Sequence, residues 1–198
     1  MPRPKSYDRE DAIAKACMAF WEHGYQALGV RELEQLTGIN QFAIRSEFGG
    51  KEGLYVEALR FYSEAAIKSE MAPMLEGGIP EIITFLQGLV TPGSPTSSDF
   101  GCLIVNTDIE NARVQSARVE DVTRDYWAAL EQHFQCALEN ELVRQGEAAR
   151  FSPLDLAKAL VSTVMGIHAQ NRALGDQTGG RALVDFTYMS LTKLKSPL

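Results

Sequence analysis

What narrows the fold first is the spacing of apolar residues, which is helical in segment after segment. Ile13, Ala16, Cys17, Phe20 and Trp21 form the i, i+3, i+4, i+7, i+8 stripe of an amphipathic helix. Gly24 follows, at the kind of residue that commonly ends a helix because it accepts positive φ. A shorter stripe of Val30, Leu33 and Leu36 halts at Thr37-Gly38. Ile39, Ala43 and Ile44 make a third short helix, with Asn40 suited to cap its N-terminus. Gly49-Gly50 breaks the chain again before a longer helix carrying Leu54, Tyr55, Ala58, Leu59 and Tyr62.

The remainder continues in the same way. A helix is predicted from Ile79 to Val90, closed by the breaker-rich run from Thr91 to Ser98. A shorter helix starts near Cys102. A long one from about Ala117 to Val143 carries Val119, Val122, Tyr126, Leu130, Phe134, Ala137 and Leu138 on one face. Ser152-Pro153 is a start signal, followed by Leu156, Ala157, Leu160, Val161, Val164 and Met165. The loop from Gly175 to Gly180 precedes a last helix with Leu183, Phe186, Ser190, Leu191 and Leu194. No alternating strand pattern with hairpin signals occurs, nor an internal repeat. The fold class is therefore all-α, about nine helices: three short ones in front, a connector, then a bundle.

Charge and cysteine content bound the environment. The 198 residues carry a formal charge of −7, with 45% hydrophobic and 23% charged residues, a globular rather than a disordered mix. Residues 1–60 hold 8 basic and 9 acidic groups, and residues 61–198 hold 11 and 17, so most of the negative charge lies behind the front helices. Nucleic-acid binding is compatible with this balance only if a few cations are focused at the front. No apolar run reaches the roughly 20 residues that span a bilayer, and Met1-Pro2-Arg3-Pro4-Lys5 lacks the apolar stretch of a secretory signal. Cys17, Cys102 and Cys136 are few and odd in number, the usage of free thiols in a reducing compartment. A cytoplasmic protein without membrane partner is expected.

A helix followed by short helix, Thr-Gly turn and short helix is the layout of a helix-turn-helix with a supporting helix ahead of it. Gly38 allows the tight turn, the apolar stripes fix the angle between the two helices, and the second is left free to enter a major groove. At the level of individual residues the match becomes specific. Phe20-Trp21-Glu22-His23-Gly24-Tyr25, Val30-Arg31-Glu32-Leu33, Leu36-Thr37-Gly38-Ile39 and Phe48-Gly49-Gly50-Lys51-Glu52-Gly53-Leu54-Tyr55 together resemble the N-terminal domain of tetracycline-repressor-type (TetR) regulators. Gly101-Cys102-Leu103-Ile104-Val105-Asn106-Thr107 resembles a segment in one branch of that family. The resemblance implies a helix-turn-helix domain at 1–50 and a helical effector-binding and dimerisation domain at 51–198. It also implies a homodimer formed through the last two helices, a double-stranded operator as partner, and a small-molecule effector.

Carried onto this sequence, the resemblance assigns DNA contacts to Arg31, Asn40, Gln41, Phe42, Arg45, Ser46 and Lys51, with Arg3 and Lys5 in a Pro-flanked arm. Three positions depart from the family pattern. Gly29 stands where a hydroxyl usually opens the second helix; Arg45 replaces a tyrosine; Glu47 replaces an aromatic or histidine. Arg45 suits guanine O6/N7 or a phosphate, and Phe42 suits packing on a thymine methyl. Glu47 is expected to point away from the phosphates or to accept from cytosine N4. Phe20, Trp21, Tyr25 and Phe48 are read as core of the small domain.

In the helical bundle the candidate effector contacts are Cys102, Asn106, Tyr126, Trp127, Phe134, Met165 and His168, an apolar set with a few polar anchors. Cys102 follows a breaker-rich loop at a helix start, where thiolate is favoured, so a thiol sensor of oxidants or electrophiles is a competing reading. Another is a helical small-molecule-binding protein or enzyme whose front hairpin is only structural. Catalysis itself has little support: His23, His133 and His168 lack zinc-ligand spacing, no G-x-S-x-G elbow occurs, and Gly49-Gly50-Lys51-Glu52 is not a P-loop. No cofactor or metal is expected.

Overall fold

The computed structural model describes residues 7–145 and 152–193, all of whose regular structure is helical. The order is α1 (Arg9–His23), α2 (Val30–Thr37), α3 (Gln41–Phe48), α4 (Lys51–Ala65), a π-helical stretch (Ala66–Met71), α5 (Pro73–Glu76), α6 (Ile79–Gly88), α7 (Leu103–Val114), α8 (Ala117–Gln145), α9 (Pro153–Leu174) and α10 (Arg181–Lys193). Nine of the helices among the described residues exceed one or two turns. The brief α5 and the π-helical stretch are additions that the apolar spacing did not announce. Arg3, Lys5 and Leu194 lie outside the described residues.

The chain packs as two compact units, one formed by residues up to Glu64 with Asn106–Thr123, the other by Ala65–Val105 with the residues from Arg124 onward. The first unit thus holds most of α4 and part of α7 as well as the three front helices. Its single Trp21 is half-buried, edge-on to Tyr62 at 5.2 Å between ring centroids. The other tryptophan, Trp127, belongs to the second unit.

In the first unit α1 starts where Asp8 Oδ1 accepts from the Asp11 N–H at 2.9 Å, an N-cap that satisfies one of the orphan donors of the first turn. It buries Ala12, Ile13, Ala16, Cys17, Ala19 and Phe20, the predicted face except for the half-buried Trp21. On α2, Leu33 is fully buried, but Leu36 is 46% exposed, against expectation. The inner position of that last turn is taken by Thr37.

The second unit is built on the predicted stripe of α8, whose Tyr126, Leu130, Phe134, Ala137 and Leu138 are all buried. Phe134 meets Phe85 of α6 nearly edge-on at 5.8 Å. Ser152 caps α9 as its sequence predicts, accepting from the Asp155 N–H at 3.2 Å. Buried Asn171 then closes the unit: its Nδ2 donates to Leu89 O at 3.0 Å and its Oδ1 accepts from Gly180 N–H at 2.9 Å. An amide inside an apolar bundle is tolerated because both its ends are satisfied. The buried face of α10 is Val184, Thr187 and Leu191, so the predicted stripe through Leu183, Phe186 and Ser190 needs correction. Phe186 is 66% exposed, with Tyr188 and Met189 also outward. Among the described residues no helix is long and apolar enough to cross a membrane.

Candidate nucleic-acid interface

The turn between α2 and α3 is set by two residues. Gly38 takes the left-handed backbone (φ 76°) that other residues adopt at a cost, and its N–H returns to Glu34 O at 3.0 Å. The buried Thr37 hydroxyl donates to Leu33 O at 2.6 Å and accepts from Ile39 N–H at 3.1 Å. With Leu33, Ile39 and Ile44 all within 1% of full burial, the angle between the two helices is held by packing as well as by hydrogen bonds.

Asn40 caps α3 as its position predicts, its Oδ1 accepting from Ala43 N–H at 2.8 Å. That carbonyl is committed to the backbone. Along α3, Ala43, Ile44 and Phe48 turn inward, while Gln41, Phe42, Arg45, Ser46 and Glu47 are exposed. Phe42 is 79% exposed, an unusual cost for a phenyl ring without a partner. Arg31 is likewise outward on α2.

The carboxylates on these helices are each engaged. Glu32 reaches back to accept from Gly29 N–H, one half of a capping box; the other half, a hydroxyl accepting from Glu32 N–H, is missing because Gly29 has no side chain. Glu34 accepts from Gln41 Nε2 at 2.7 Å. Glu47 accepts from the Tyr7 hydroxyl at 3.0 Å. Partial burial, and then the adjacent Glu47 carboxylate, push the Tyr7 phenol up. Tyr7 and Glu34 escaped the sequence reading, since their partners lie 40 and 7 residues away across turns rather than on a shared helical face.

The start of α4 is fixed against the rest of the first unit. Lys51 is half-buried, its Nζ 4.3 Å from the centroid of the Tyr25 ring. Burial holds its ammonium below the usual lysine range, with the Glu110 and Glu32 carboxylates pulling the other way. Tyr25 stacks on Tyr55 at 4.7 Å, Phe20 packs on the same Tyr55 at 4.7 Å, and Tyr25 N–H donates to Glu110 Oε2 at 2.9 Å. The Tyr55 hydroxyl shares a 2.7 Å hydrogen bond with Thr107. Arg9 places its guanidinium 5.2 Å from the Phe48 ring while bonding Glu57 at 2.8 Å. Phe20, Tyr25 and Phe48 are thus packing residues, as read from the sequence.

Of the bundle candidates, Cys102, Tyr126, Phe134 and His168 are buried in the second unit, and Trp127 and Met165 half-buried there. Asn106 packs with the first unit. The Tyr126 hydroxyl is hydrogen-bonded to Cys102, and burial together with that thiol pushes the phenol well up. Trp127 lies edge-on to Tyr126 at 5.0 Å. His168 Nδ1 is buried with no hydrogen-bond partner among the described residues, and burial lowers this imidazole to about 4.

Comparison with known proteins matches residues 12–58 to a family model described as bacterial regulatory proteins, tetR family. The transcriptional repressor ComR of Escherichia coli is 31% identical over 107 residues, 52% of this chain and 51% of its own, so that match spans about half of the relative. The transcriptional repressor AcnR of Corynebacterium glutamicum is 27% identical over 175 residues, 87% of this chain and 85% of its own. Among solved structures, a cysteine mutant of the TetR-family regulator CifR in complex with double-strand operator DNA has a TM-score of 0.76 at 20% identity, covering 95% of this chain and 99% of that one. Reduced NemR of E. coli reaches 0.76 at 19% identity over 90% of this chain and 94% of its own. At such identities the structures speak to fold, and the fold they share is the one built above. The tetR-family likeness therefore lies in the front helices, residues 12–58, and the alignment with AcnR runs over most of the chain's length at 27% identity.

Proposed function

We propose that this chain is a homodimeric, ligand-responsive transcriptional repressor of the cytoplasm that binds a roughly palindromic operator. One observation carries the reading: α3 turns Gln41, Phe42, Arg45 and Ser46 outward while its other face is locked into the front core. A rigidly held helix with exposed side chains of this chemistry suits the major groove. Arg31 and Lys51 then meet phosphates, and the arm carrying Arg3 and Lys5 adds contacts ahead of α1. Two-fold symmetry of the protein dictates a near-palindrome in the DNA.

The dimer seam is assigned to α9 and α10, where Phe186, Met189 and Leu174 are outward apolar residues of the kind that a second copy would cover. The effector is assigned to the second unit near Cys102, Tyr126, Trp127, Phe134, Met165 and His168. An effector acts here only to the extent that it binds one arrangement of the recognition helices better than another. Nothing in this reading requires catalysis.

The test is a fluorescence-anisotropy titration against DNA from upstream of the protein's own gene, at two salt concentrations, with random DNA as competitor. Binding that survives the competitor and falls by about 0.9 in log K per log salt for each phosphate neutralised is the expected result. Equal binding to both DNAs, or none, overturns the proposal.

A further inference from the structure

Glu34 and Gln41 meet across the turn between α2 and α3, and the chemistry of the pair fixes how Gln41 is oriented. Gln41 Nε2 donates to Glu34 Oε2 at 2.7 Å. A carboxylate offers acceptors only, so the amide must turn its NH2 end toward Glu34. One of the two N–H groups is used in that bond. Oε1 and the second N–H are left for a partner outside the protein. Gln41 is exposed at the first position of α3, and the cap of that helix is supplied by Asn40, so no backbone N–H competes for the Gln41 carbonyl.

In the major groove an adenine presents a donor, N6–H2, beside an acceptor, N7. A carbonyl next to a single N–H complements that pair. Guanine presents two acceptors, O6 and N7, and would set O6 against the Gln41 carbonyl. A glutamine free to rotate its amide can offer its NH2 to guanine; one held by a carboxylate cannot do so without breaking the 2.7 Å bond.

We propose that Glu34 is a positioning residue for base recognition: by holding the Gln41 amide it makes the helix select adenine and reject guanine at one base pair of each half-site. The proposal rests on the reading that α3 enters the major groove. Glu34 need not touch DNA, and its charge, taken alone, weakens binding to every sequence alike.

The experiment selects binding sites for the full-length protein from a random double-stranded pool, then measures competition among all four bases at each position of the consensus. Wild type, Gln41→Ala, Glu34→Ala and Glu34→Lys are compared. Gln41→Ala is expected to lose discrimination at a single base pair, where wild type prefers adenine over guanine by about tenfold or more. At that same pair Glu34→Ala brings the preference within about threefold, because the amide can rotate, while other positions keep their ranking. Glu34→Lys, which can only donate, turns the amide round and moves the preference toward guanine. An adenine-to-guanine ratio that Glu34→Ala leaves unchanged overturns the proposal, as does a wild-type preference for guanine at the Gln41-dependent pair. If wild type yields a consensus that Gln41→Ala does not alter, the proposal falls and the regulator reading stands. If wild type enriches no sequence, both fall.

Discussion

The carbonyl oxygen of Phe48 lies only 1.6 Å from where the first side-chain carbon of any residue but glycine would sit at position 53. The obstacle is backbone, so no rotamer change relieves it, and α3 or the start of α4 would have to move. Gly53→Ala is therefore expected to destabilise the chain by about 3 kcal/mol or more, well above the loss typical of a point substitution. Urea unfolding followed by far-UV circular dichroism checks this. A Gly53→Ala chain as stable as the parent would mean that the α3–α4 corner is not built as described. At the same scale, the carboxylates of Glu32, Glu34 and Glu47 show how an acidic sequence accommodates the outward face of α3. Each accepts a hydrogen bond from the protein itself, from Gly29, Gln41 and Tyr7 respectively. Glu47, expected either to point away or to read cytosine, has Tyr7 as its partner in this structure.

Between elements, α4 and α7 are joined by the buried hydrogen bond of Tyr55 and Thr107, and through Tyr25, which stacks on Tyr55 and donates its N–H to Glu110 of α7. Tyr55→Phe should lower stability by about 1 kcal/mol, and Thr107→Val by a similar amount. Because the two act through one bond, the double variant is expected to lose less than the sum, by about 0.5 kcal/mol or more. Denaturant midpoints of the four chains give the coupling; strict additivity would show that the bond contributes nothing. Contacts of this kind were not legible in the sequence, since Tyr55 and Thr107 are 52 residues apart. Elements with a regular apolar period were. The α8 stripe from Val119 to Leu138 is buried throughout, and the caps at Asn40 and Ser152 stand where their residue types place them. Legibility fails where a face is chosen by tertiary packing. Leu36 gives way to Thr37, whose hydroxyl serves the turn as well as the core, and α10 turns in Val184 and Thr187 instead of Phe186. The interface was readable to the level of which helix is exposed. How Gln41 and Glu47 are held was not, because both depend on partners across turns.

For the molecule as a whole, acid stability should depend on His168. In the unfolded chain an imidazole takes up its proton near 6.5; buried in the second unit, His168 does so only at about 4. Between those values the unfolded state binds more protons, so this contribution is fully present above pH 6.5 and is lost as pH falls. The expected slope is up to about 1.4 kcal/mol per pH unit across that window. Urea unfolding at a series of pH values, for the parent and for His168→Gln, isolates it: the difference between the two chains should change between pH 6.5 and 4.5 and be constant above pH 7. A difference independent of pH would mean that the native imidazole titrates as it does in the unfolded chain. The same melts carry a second kind of information, because the only two indoles of the chain are divided between the units, Trp21 in one and Trp127 in the other. Each unit thus owns its own intrinsic fluorophore. A Trp127→Phe chain keeps indole emission in the first unit alone, and overlaying its melt, excited selectively at the indole, on the full-chain circular dichroism tells whether the two units unfold in one step or in two.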